Sequence, residues 1–171
     1  MRFEVISMRP FQPSRRKRFL LLADAGAVIF ASVISAMGAA APTSDPWTDS
    51  QTIQAADFAH ELANASKERP TILYVGFRTL FAGGHIPGAT FHGTASTEEG
   101  LAEMKKWAAT LPRSTNLVIY CGCCPLEKCP NIRPAYTALH EMGFVNLRVL
   151  VLPTSFAKDW VEKNYPYEKG A

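Results

Sequence analysis

The sequence predicts an α/β domain, a mainly parallel sheet with helices on both faces, and three observations predict it. Short apolar runs rich in β-branched residues, at Thr71–Val75, Leu117–Tyr120 and Val145–Val151, read as buried strands. Amphipathic segments at helical spacing separate them, and Pro70, Pro112 and Gly143 punctuate the joins. Strands that alternate with helices in this way build a sheet covered on both sides.

Taken in order, the chain opens on a segment that does not belong to that sheet. Arg15-Arg-Lys-Arg18 is followed by Phe19-Leu-Leu-Leu22 and a long apolar run that ends in the small residues Gly38-Ala-Ala-Ala41. A charged start, an apolar middle and a small-residue end make residues 1–41 an export signal. The spacing of Ser14, Arg15, Arg16, Phe19 and Leu20 also resembles a twin-arginine signal. Asp24 interrupts the apolar run and argues against a permanent membrane anchor, because a carboxylate near the bilayer centre is costly. These residues carry four net positive charges, so the rest of the chain is left at about −1. With no basic stripe remaining, nucleic acid is excluded as a partner.

Residues 42–50 are turn formers and read as a linker to the domain at 51–171. Ala55, Phe58, Ala59 and Leu62 fall on one helical face, which ends before Pro70. The strand at 71–75 follows, then the Gly83–Ala89 turn and a short extended piece. Leu101, Met104, Ala108 and Leu111 define a second helix over 98–111. After the strand at 117–120, a helix runs from Pro134 to Met142, with Gly143 at its carboxyl end. The strand at 145–151 and a helix over 155–163 complete the order. Phe58, Trp107, Phe144 and Trp160 lie on apolar faces and are core residues. His85 sits in a turn where a hydrogen-bonded structural role is expected, and His92 and His140 have no visible partner.

All four cysteines, Cys121, Cys123, Cys124 and Cys129, lie in the loop between the 117–120 strand and the next helix. That is where α/β sheets place reactive groups, outside the carboxyl ends of strands and beside a helix start that favours an anion. A thiol acts as a nucleophile only as thiolate, so such a site must lower its pKa. Pro130 and Pro134 fix local φ, Asn131 can cap the helix through its side chain, and Lys128 and Arg133 are the cations in reach. Cys121 and Cys124 form a Cys-x-x-Cys, a redox spacing. A structural disulfide is disfavoured, because bridges within nine residues close loops too short to remove much unfolded-state entropy. Four sulfurs could also hold zinc or copper(I), although adjacent Cys123-Cys124 fits the paired knuckles of structural zinc poorly.

From residue 50 onward the chain is similar to rhodanese-like domains. The resemblance rests on Gly84-His-Ile-Pro-Gly-Ala89, on a strand ending in Tyr120-Cys121, on Met142-Gly-Phe144, and on Trp160 and Tyr165-Pro166. It implies a loop cysteine, Cys121 by position, that accepts sulfane sulfur as a persulfide and hands it to a nucleophile. Cys123, Cys124 and Cys129 are then resolving thiols or alternative nucleophiles, and Arg133 and Lys128 bind an anionic donor such as thiosulfate. The implied partners are a small sulfur donor and a thiol acceptor, with no cofactor, no resident metal, and membrane contact only through the export signal, in the periplasm. The chain departs from the family in its longer loop, in Tyr74 and Gly76 where an Asp and an Arg are common, and in Ser155-Phe156 before Trp160. Two other readings stand beside sulfur transfer: a thiol–disulfide oxidoreductase, and a module that binds copper or zinc. A phosphatase-type loop is discounted, since Arg133 lies too far along the chain from Cys121.

Overall fold

The structure, a computed structural model, describes residues 44–64, 66 and 68–170. The expected export signal lies outside them. Among the described residues no helix is long and apolar enough to cross a membrane.

Five strands and five helices alternate: β1 (Thr52–Gln54), α1 (Ala55–Ala63), β2 (Thr71–Tyr74), α2 (Arg78–Gly83), β3 (Ala89–Phe91), α3 (Glu98–Ala108), β4 (Leu117–Tyr120), α4 (Ile132–Glu141), β5 (Leu147–Val151) and α5 (Phe156–Asp159). The sheet order is β1-β5-β4-β2-β3, and every pairing is parallel. β4 therefore runs at the centre, in register with β2 from Thr71↔Leu117 to Tyr74↔Tyr120.

Side chains alternate across a strand, and here the alternation divides the core in two. Leu73, Leu117, Ile119, Leu147 and Val149 face Met104 of α3 and Ile132, Tyr136 and Leu139 of α4. Ile72, Tyr74, Val118, Tyr120 and Leu150 face Phe58 of α1, Phe81 of α2 and Trp160. The apolar runs lack polar residues because both faces are covered. Cys121, one residue beyond β4, keeps the parity of Leu117 and Ile119 and joins their side.

α3 forms where its ends are satisfied as well as its face. The Thr97 hydroxyl accepts the Gly100 N–H, Glu98 and Glu99 sit in the first turn, and Lys105 and Lys106 in the last. The helix expected over 155–163 is instead broken at Trp160, whose backbone leaves the helical region at φ −127° and ψ −62°. Its indole N–H donates to the Pro166 carbonyl at 2.8 Å and its ring packs edge-on to Tyr165. The chain continues as a 3-10 turn, Val161–Lys163. β5 begins at Leu147 rather than Val145, which is 74% exposed. β1 and α2 answer to no expectation from the sequence. Of the expected linker, Trp47 packs edge-on to Tyr136, and Asp45 pairs with Arg133.

Candidate functional site

The cysteine loop leaves β4 at Tyr120 and reaches α4 at Ile132, with one 3-10 turn over Leu126–Lys128. Tyr120 anchors its start, since its hydroxyl accepts the Ile86 N–H at 3.0 Å. Gly122 makes the sharp turn: its φ is +71°, and a Cβ there would lie 2.7 Å from the Cβ of Phe156. The close approach lets the Gly122 carbonyl accept the Phe156 N–H at 2.9 Å, tying the loop to α5.

That turn gathers sulfur. The Cys121 and Cys123 sulfurs are 3.1 Å apart, and the Cys123 and Cys124 sulfurs 3.2 Å. The sulfurs of Cys121, Cys123 and Cys129 all lie within 4.8 Å of one another, a set of donors that could hold a soft cation. All four cysteines are free thiols. Cys124 stands outside the three-sulfur cluster, so the partner closest in sequence spacing to a redox pair is not the one against Cys121.

Asn131 is not the side-chain helix cap expected from its position. Its carboxamide is fully buried and turned inward: Oδ1 accepts the Ser96 N–H at 3.0 Å, while Nδ2 donates to Cys121 Sγ at 3.5 Å and approaches Cys123 Sγ at 3.8 Å. A buried amide must place both of its ends, and Ser96 supplies a donor for the oxygen that the helix start does not.

The sulfurs share their protons unequally. Cys129 accepts a hydrogen bond from the Cys121 thiol, and the Asn131 and Ile132 backbone N–H groups at the start of α4 also point to it; against burial, these lower it to about 6. Cys121 is pushed up by the same hydrogen bond to Cys129 and by burial. Burial and the neighbouring sulfurs push Cys124 up to about 12. Cys129 is thus shifted toward the thiolate and Cys121 toward the thiol.

A cavity of about 510 Å³ opens onto Cys121 and Cys123. Tyr74, Leu80, Phe156, Val161 and Tyr167 form much of its wall, and among the described residues Lys169 is its single charged lining residue. The Tyr167–Lys169 segment is held in place through Glu168. Its backbone pairs with His85 in both directions at 2.9 Å, and its carboxylate takes His85 Nε2 at 3.2 Å and the Gly88 N–H at 3.1 Å. His85 Nδ1–H donates to the Phe81 carbonyl at 2.9 Å, so this histidine is the structural residue its turn suggested. A second cavity, about 550 Å³, lies at the amino ends of β1, β4 and β5, around the Arg148–Glu61 ion pair. It holds no thiol and lies at the wrong end of the strands for the loop's chemistry.

Neither cation expected to serve the loop lines the thiol cavity. The Arg133 guanidinium pairs with Asp45 and donates to the Leu126 carbonyl at 3.2 Å. Lys128 is exposed, 3.9 Å from Glu127. In their place stand two residues distant in sequence, Lys169 and Tyr74. The Tyr74 hydroxyl is buried and makes no hydrogen bond, although the Phe77 N–H lies nearby. Tyr74 shows in the sequence only as a departure from the family pattern and Lys169 not at all; the topology brings both to the cavity at Cys121.

Among solved structures, the rhodanese-like domain of the Alr3790 protein from Anabaena sp. superposes with a TM-score of 0.50 at 24% identity, covering 70% of this chain and 79% of that one. A crystal structure of the Alr3790 protein superposes with a TM-score of 0.51 at 20% identity, covering 68% and 82%. No family model and no curated protein matches the chain. The fold is thus rhodanese-like, with a cluster of cysteines in the loop after its central strand.

Proposed function

We propose that this rhodanese-like domain transfers sulfane sulfur through a persulfide on Cys121. The observation that carries the reading is the position of one sulfur: Cys121 Sγ ends the central strand, faces the 510 Å³ cavity, and touches a second and a third thiol behind it. A donor in the cavity lies against Cys121 and the less buried Cys123, and Cys121 is the one that directly follows the central strand. As Cys121 attacks, its proton passes to the Cys129 thiolate to which it is hydrogen-bonded. The sulfane sulfur joins Cys121 Sγ, and the donor leaves with the electron pair of the broken bond.

Release follows one of two balanced courses. An external thiolate takes the outer sulfur and Cys121 is restored. Alternatively Cys129, having passed its proton to the departing donor group, attacks Cys121 Sγ as thiolate. The Cys121–Cys129 disulfide forms, the outer sulfur leaves as hydrosulfide after taking up a proton from water, and a dithiol reductant must then reopen the bridge. Cys129 ranks first among the resolving thiols because it is the one whose sulfur accepts helix-start amides; Cys123 is next, and Cys124 last. The export pattern of residues 1–41 supports a site of action outside the cytoplasm, and cell fractionation tests that part separately.

Intact-mass spectrometry after exposure to thiosulfate or an organic persulfide tests the core of the reading. A reductant-labile gain of one sulfur atom is expected, and it is lost in Cys121→Ser. Paired loss of hydrogens with no added sulfur would instead favour a thiol–disulfide oxidoreductase. The three clustered sulfurs favour one further reading, a soft-cation module. Stoichiometric copper(I) or zinc kept through native mass spectrometry, with no sulfur uptake, would select it.

A further inference from the structure

The cavity differs from an anion cradle in three respects, and together they point to the donor. The first is Tyr74. It is 2% exposed, its hydroxyl has no hydrogen-bond partner, and it borders the cavity beside Cys121. A side chain at Gly76 would begin 2.5 Å from that hydroxyl and 2.9 Å from Cys121 Sγ, so both groups converge on one small space. The hydroxyl and the sulfur can approach there only because residue 76 is glycine. Burial, with the Cys121 and Cys123 sulfurs close by, holds the phenol protonated. An unsatisfied buried donor is costly, and an anionic sulfur on Cys121 supplies the acceptor it lacks.

The second is the wall. Leu80 and Tyr167, 47% and 43% exposed, present apolar surface at the cavity alongside Phe156 and Val161. The third is charge. Among the described residues Lys169 is the only cation lining the cavity, the loop's own Arg133 is taken by Asp45, and no helix of eight residues or more begins at the cavity wall. A dianion would have to shed its water against one counter-charge, whereas a donor with at most one negative charge and an apolar tail has its surface matched and carries little charge to desolvate.

We infer that the sulfur donor is a small organic persulfide with an apolar tail, its tail on Leu80, Phe156 and Tyr167 and its terminal sulfur beside the Tyr74 hydroxyl, and not the inorganic thiosulfate dianion. The inference rests on the persulfide reading of Cys121. In the transfer, Cys121 Sγ attacks the terminal sulfur of R–S–SH. A new sulfur–sulfur bond forms, the bond from R–S to that sulfur breaks, and R–S⁻ leaves with its electrons and takes up the proton that Cys121 lost. The products are R–SH and the Cys121 persulfide, with no oxidant or reductant consumed. Tyr74 then donates to the outer sulfur of that persulfide.

The test measures Cys121 loading by mass spectrometry with thiosulfate and with a series of alkyl persulfides from methyl to hexyl, on the folded domain. Loading efficiency should rise about fourfold per methylene while the tail still gains apolar contact, and should exceed that with thiosulfate throughout. Tyr74→Phe, which keeps the ring, should slow persulfide loading roughly ten- to hundredfold and raise the pH at which the loaded sulfur becomes alkylatable. Leu80→Arg, at a half-exposed position, should shift preference toward thiosulfate. A flat chain-length series, or thiosulfate used as well as the alkyl donors, overturns the inference and leaves the Cys121 persulfide standing. Failure of every donor to load Cys121 removes both.

Discussion

The carboxamide of Asn131 spans two parts of the chain, its Nδ2 donating to Cys121 Sγ at 3.5 Å and its Oδ1 accepting the Ser96 N–H at 3.0 Å. The helix start thereby reads the state of the thiol. Asn131→Leu keeps the volume and leaves the Ser96 amide without an acceptor, so a loss of about 1–3 kcal/mol is expected in urea unfolding. Asn131→Asp retains the acceptor but sets a carboxylate against the sulfurs, and Cys121 loading should fall while stability changes less. Equal loading in both variants and the parent would remove Asn131 from the site.

Cys129 gives the loop a pH dependence. Its folded value, about 6, lies below the ordinary thiol value of 9.0. Between those two pH values the unfolded chain binds the additional proton, so Cys129 contributes stability that is full above 9 and is lost as pH falls through 6. Cys121, displaced upward, acts in the opposite sense only above the usual thiol range. Thiolate absorbance in the parent should titrate near 6 and that component should vanish in Cys129→Ser, along with the rise of unfolding midpoint with pH. A thiolate midpoint near 9 in the parent would show that the helix-start amides do not hold the charge.

Gly122→Ala introduces a Cβ at φ +71° and 2.7 Å from Phe156. The strained backbone alone costs about 1–3 kcal/mol, and relief requires α5 to move away from the loop. Thermal unfolding should show the loss, and loading with long-tailed donors should drop more than loading with the methyl persulfide, because Phe156 is part of the wall.

Arg133→Ala should leave sulfur loading within about twofold of the parent and cost about 0.2–1 kcal/mol, the worth of a partly exposed ion pair. Asp45→Ala should reproduce the stability change, since the two groups share one contact. A large loss of loading in Arg133→Ala alone would return this guanidinium to the donor site.

The central strands were legible in the sequence because burial on both faces leaves uninterrupted β-branched runs, as in Thr71–Tyr74 and Leu117–Tyr120. β1 was not, since Thr52-Ile-Gln54 is too short to show a period and lies partly exposed at the sheet edge. α2, six residues closed by Gly83 and Gly84, lacks the two turns over which a helical stripe repeats. At the site, the cysteines announced themselves through their spacing. Asn131 was visible but misassigned, because a helix-start asparagine has a local use and its actual donor and acceptor partners are 35 and 10 residues away. Tyr74 stood out as a departure from the family pattern, yet its unpaired hydroxyl exists only once β2 lies beside β4. Lys169 reaches the cavity through the His85–Glu168 bridge, a pairing across 83 residues that no local pattern encodes.

The division of β4 into two sets, with Leu117, Ile119 and Cys121 on one side and Val118 and Tyr120 on the other, also governs how such a loop can be rebuilt. One residue added or removed upstream of Cys121 would exchange the two sets and deliver the thiol to the opposite layer. Residues added after the Gly122 turn leave Cys121 on its own side of the sheet and alter the path back to α4. Insertional variation, whether by natural divergence or by grafting of new metal-binding or redox sequences, therefore keeps the layer of this cysteine when it falls behind the turn and loses it when it falls upstream. The strand acts as a counting frame, and the loop behind it as a replaceable cartridge.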